Sequence, residues 1–129
     1  MDTVILNKLN AYRRLFIRKD LIELSQWMES IEDINLEIEQ FKLVEKQLIK
    51  SDTLVTDLVG LRRKNTLVMG SFCNYELDLK KEYEFGKREY DLSRAKEHEK
   101  RRYQYLQLIQ EFKILKNKIH TELMKYKRF

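Results

Sequence analysis

The chain has 129 residues, 43% of them hydrophobic and 36% charged, with three glycines, no proline and a mean hydropathy of −0.61. So few chain breakers exclude a β-sandwich or an α/β enzyme, which need frequent turns, and the plentiful Leu, Ile, Phe and Tyr exclude a disordered chain. Cys73 is the only cysteine, so no internal disulfide forms.

No apolar run reaches the ~18 residues of a membrane span or the length of a signal-peptide core. An intracellular, cytoplasmic protein with no membrane partner is the expectation. Net charge is +5, unevenly spread. Residues 100–129 hold nine basic and two acidic groups, whereas Glu29–Glu45 holds six acids against Lys42. The chain is therefore polarised, acidic early and basic late.

The first clear pattern is Leu24, Trp27, Ile31, Ile34, Ile38, Phe41 and Leu48, with Glu45 interrupting. Steps of three and four make it a heptad seam. Ile5, Leu9, Tyr12 and Phe16 keep the same rhythm but join it only through a four-residue stutter around Asp20. Ser51-Asp52-Thr53, all helix-capping residue types, mark a chain reversal, with Lys46 and Lys50 suited to the helix end before it.

Beyond the reversal, Leu54, Leu58, Leu61, Val68, Phe72, Tyr75 and Leu79 continue the rhythm, and Asn65 fills the remaining seam position. Two readings stand for Asn65: a polar pin that fixes register, or a break at Lys64–Thr66 that divides the arm into two helices. Residues 80–104 carry fifteen charged side chains and read as a helix with little core. The last seam is Tyr105, Leu108, Phe112, Leu115, Ile119, Leu123 and Tyr126.

These features predict an all-α fold: a long antiparallel helical hairpin or coiled coil in one unit over 1–129. Arm one covers about 3–50 and arm two about 53–127. Three helices are the alternative if the chain breaks near 64–66. Antiparallel arms that reverse at Ser51–Thr53 put Trp27 near Tyr75 and run out of partner near His98. Residues 105–126 then overhang, and seven wet seam residues would each forgo about 1.5–3 kcal/mol of burial. That seam is accordingly expected to dock on a partner protein, either a second copy or another chain. The alternative, permitted by a kink at Asn65, is that it folds back on the body as a compact three- or four-helix bundle.

No catalytic, cofactor-binding or metal-binding constellation is legible. Cys73 reads as a core or flanking residue and His98 as solvated; His98 and His120 have no ligand-type residue at metal spacing. The acids of 29–39 read as a solvated face, and no glycine motif cradles a phosphate. Neither an enzyme nor a small-molecule substrate is expected.

Basic residues give a second functional hint. Arg62, Arg63 and Lys64, then Lys100, Arg101 and Arg102, then Lys113, Lys116, Lys118, Lys125 and Lys127 are candidates to meet phosphates or an acidic partner. The chain resembles coiled-coil proteins as a class. The functional expectation is a non-catalytic structural or adaptor protein that self-associates or docks through its C-terminal heptads. The alternative is a nucleic-acid-binding accessory protein of recombination, packaging or repair, viral ones included.

Overall fold

A computed structural model describes residues 3–125, and all that follows concerns those residues. Three long helices make up the chain: α1 (Thr3–Val44), α2 (Asp52–Phe85) and α3 (Leu92–Met124). None is long and apolar enough to cross a membrane. A π-helical turn, Glu45–Ile49, extends α1 to the first reversal.

The expected reversal at Ser51–Thr53 is present, and its chemistry is local. Lys50 adopts the left-handed conformation (φ 54°, ψ 45°), which lets its amide donate to the Glu45 carbonyl at 2.6 Å. Ser51 caps α2, its hydroxyl 3.5 Å from the Leu54 amide. Because the bend is centred on Lys50, the arms pair earlier than the sequence suggests. Trp27 packs on Phe72, ring centroids 5.6 Å apart, rather than on Tyr75.

Asn65 does not break the arm. Helix α2 runs through it, and the side chain is 1% exposed, its amide donating to Asn35 Oδ1 at 2.9 Å. The polar-pin reading holds and the break near 64–66 is corrected. The second reversal lies instead at residues 86–91, between Gly86, where α2 stops, and Asp91, whose carboxylate accepts from the Arg94 amide at 3.0 Å to start α3. Charge density in that stretch hides the turn.

This later turn folds the tail back. Helix α3 runs antiparallel to α2, as Tyr75–His98 and Lys64–Glu111 contacts show, and parallel to α1, as Glu23–His98 and Glu37–Lys116 contacts show. Leu108, Phe112, Leu115 and Ile119 are buried in the same core as Leu24, Ile31, Leu58 and Phe72. Tyr105 and Leu123 are half-buried against it, and Tyr126 lies outside the described residues. The expected overhang of 105–126, with its docking seam, is thus corrected: within one chain α3 is the third helix of the bundle.

An overhang does exist, at the other end. Arg13 meets the Glu82 carbonyl near the end of α2, so the turns of α1 before it extend past α2. There Ile5, Leu6, Leu9 and Tyr12 are exposed.

A buried polar hub and an uncovered helix end

The heptad frame that runs back from Leu24 has no stutter. It places Asp20, Ile17 and Arg13 at inward positions, and all three are buried. The apolar ridge Ile5-Leu9-Tyr12-Phe16 is out of phase with this frame by one residue. The core level that the ridge abandons is filled by polar groups drawn from all three helices.

His98 of α3 is the centre, 2% exposed where the sequence suggested a solvated residue. Its Nε2 lies 2.6 Å from Glu23 Oε1 and 3.4 Å from Asp20 Oδ1, and its Nδ1 lies 2.6 Å from the Tyr75 hydroxyl. A carboxylate only accepts, so Nε2 donates to Glu23, and in the neutral ring Nδ1 accepts from Tyr75. The imidazole also stacks on Trp27 at 5.0 Å, and Trp27 stacks in turn on Tyr105 at 5.7 Å. Asp20, 4% exposed, accepts from the Tyr90 hydroxyl.

Arg102 grips Glu23 with two bonds, Nε to Oε2 at 3.0 Å and Nη2 to Oε1 at 2.7 Å. These hydrogen bonds hold the Glu23 carboxyl below its ordinary range, more strongly than its partial burial raises it, and they raise Arg102 in return. Burial is the main cause that pushes the Tyr75 and Tyr90 hydroxyls far up, which keeps both protonated as donors. Arg94 pairs with Glu82 at 3.1 Å beside them, and the Arg101 guanidinium lies 3.9 Å over the Tyr75 ring.

Asp20, Glu23 and His98 are metal-ligand types, with one ligand atom from each within 4.8 Å of the others. Both oxygens of Glu23, however, already face the Arg102 guanidinium, so an entering divalent cation would meet a fixed positive charge held by its own ligand. The imidazole, the two carboxylates and the two tyrosine hydroxyls are partnered by one another and by Arg102, while Arg13 Nε and Arg101 Nε stay buried and unpaired. A polar network of this kind selects one register of helix pairing over its neighbours. The grooves between α2 and α3, about 310 and 540 Å³, are lined by other residues such as Thr56, Gly60, Ile114 and Lys118.

Most of the basic residues proposed for phosphate contact are engaged or scattered. Lys64 pairs with Glu111, Lys116 with Glu37, Lys125 with Glu122 and Arg102 with Glu23; Arg62 reaches Glu39 and Thr66. Arg101 is half-buried on Tyr75. Arg63 on α2 and Lys100, Lys113 and Lys118 on α3 are exposed, but at 100° per residue Lys113 sits on a different flank of α3 from Lys100 and Lys118. Lys127 lies outside the described residues. Cys73, expected in or beside the core, is exposed on α2.

Sequence reasoning missed Asp20, Glu23, Tyr75, Tyr90 and His98 as a group. The available signals were of phase: Asp20 and Arg13 fall in step with the Leu24 seam, and His98 lies one heptad before Tyr105. Set against known proteins, the chain matches no family model, no curated protein and no solved structure.

Proposed function

We propose that this protein is a non-catalytic structural or adaptor module, a three-helix bundle that docks to a protein partner through the projecting N-terminal end of α1. The observation that carries this reading is the exposed ridge Ile5, Leu6, Leu9, Tyr12 and Phe16, which flanks the inward frame of α1 and runs toward its N-terminal end. Phe16, next to the bundle, is partly served by Tyr90, ring centroids 5.1 Å apart; Ile5, Leu6, Leu9 and Tyr12 are exposed. Contiguous apolar surface of this kind marks interaction sites. Residues 3–16 carry exposed Lys8 and Arg14 and no acid, so the fitting partner is an amphipathic helix with an acidic flank.

A photoreactive side chain at position 9 of the full chain, expressed in its own cells, tests this. One discrete cross-linked protein is expected, lost in Ile5→Asp and Tyr12→Asp, with thermal unfolding unchanged because these residues lie outside the bundle. A chain that cross-links to nothing at position 9 overturns the reading. Scattered and partly paired lysines make a nucleic-acid role on α3 the weaker alternative; salt-dependent DNA or RNA binding lost on neutralising Lys100 and Lys118 would replace the docking reading.

A further inference from the structure

The exposed side of α1, across the helix from its buried seam, has a sequence pattern of its own. Positions 8, 11, 15, 18, 22, 25, 29, 32, 36 and 39 recur at steps of three and four, and every one is exposed. Three large apolar residues lie on this line, Leu15 (61% exposed), Ile22 (57%) and Leu36 (66%). Its first half is basic and its second half acidic.

We propose that this outer face is a homodimer interface in which two copies of α1 pair antiparallel about a two-fold axis between residues 23 and 24. In that register Arg18 of each copy meets Glu29 of the other, and Lys8 meets Glu39, whose carboxylate also reaches Lys42 and Arg62 of its own chain. Each bulky residue meets a small one or an aliphatic stem: Leu36 faces Ala11, Ile22 faces Ser25, and Leu15 faces the methylenes of Glu32. Parallel pairing would set Arg18 against Arg18 and Glu29 against Glu29, and so repels itself. A stripe that becomes its own complement when reversed is what an isologous contact requires, and this identifies the occupant as a second copy.

The bundle leaves room for such a pair. Helices α2 and α3 sit on the opposite side of α1, so two copies can approach without collision. The strip from 8 to 39 is about 48 Å long and ~10 Å wide, so the pair buries on the order of 1,000 Å² in total, the weak and transient class of interface. Partnered this way, the two N-terminal ridges point away from the seam at opposite ends of the dimer. The adaptor would then be bivalent, which extends the docking reading through a separate surface.

Arg18 and Glu29 form no ion pair among the described residues, so their charges can be exchanged without disturbing the bundle. Sedimentation equilibrium of the full chain up to about 1 mM should show a dimer that weakens with salt. Arg18→Glu and Glu29→Arg should each weaken it at least tenfold. Mixing the two variants should restore association as a heterodimer, and the double variant should restore the homodimer. A strictly monomeric wild-type chain overturns the inference, as does a dimer that neither single variant weakens. Both failures leave position 9 cross-linking untouched, so the docking reading is judged separately.

Discussion

Glu23 ties the hub to pH. Arg102 and His98 on α3 hydrogen-bond to it, with Asp20 one turn away on its own helix. Its folded pKa is lowered from 4.5, chiefly by the Arg102 hydrogen bond. The unfolded chain therefore binds the proton first, and this contribution to stability is complete above about pH 4.5 and lost as pH falls through the lower folded value. Tyr75 and Tyr90 act at the opposite limit. Their folded pKa values are raised from 10.0, first by burial, so their contribution holds below about pH 10 and declines above it as the unfolded chain forms tyrosinates. Melting temperature against pH should show a plateau that falls at both limits, and Glu23→Gln should lower the plateau while flattening the acid limb. An acid limb of unchanged steepness in Glu23→Gln would remove Arg102–Glu23 as its source. None of these roles was legible from the sequence, because His98 stands between Glu97 and Glu99 and looks solvated. Its phase turns it inward: it lies four residues after buried Arg94 and seven before Tyr105, on the buried side of α3.

Among the elements, α2 was the most legible and α3 the least. The α2 seam Leu54 to Leu79 could be read directly because each position is apolar except Asn65, and Asn65 is the kind of residue a seam tolerates when it finds a partner, here Asn35. The end of α2 was obscure because Gly86 stands alone in a run of charges that favours continued helix. The three glycines separate these cases by experiment. A Cβ at Gly60 or Gly70 meets nothing within 4 Å, and both sit inside α2. Gly60→Ala and Gly70→Ala should each stabilise the chain by about 0.5–1 kcal/mol, the helix-interior cost of glycine. A Cβ at Gly86 would stand 2.7 Å from the Glu82 carbonyl oxygen, too close without movement of the backbone. Gly86→Ala should destabilise, and urea midpoints of the three variants should fall on opposite sides of the parent. A stabilising Gly86→Ala would mean that α2 has room to continue and that the turn at 86–91 is not held by contact.

At the scale of the whole molecule, composition and period were enough for an all-helical fold, but not for the path of the chain. Periodicity reports which side of a helix is buried and is silent on what buries it, so the seam from Tyr105 to Leu123 looked unmatched as long as the second reversal was unseen. The apolar surplus is real and lies at Ile5–Phe16 instead, where the heptad frame exchanges Tyr12 and Phe16 for Arg13 and Ile17. Two truncations distinguish these accounts. Ending the chain after Arg102 removes Leu108, Phe112, Leu115 and Ile119 from the core. At about 1.5–3 kcal/mol for each buried side chain, the loss is of order 6 kcal/mol or more, comparable with the whole stability of a domain this size. Cooperative unfolding should disappear. Among the described residues, starting the chain at Ala11 removes only exposed ones, Thr3 to Asn10, and its melting temperature should match that of the full chain. If the first truncation melts cooperatively at the parent temperature, α3 does not belong to the core, and the tail returns to being a free arm as its heptads alone suggest.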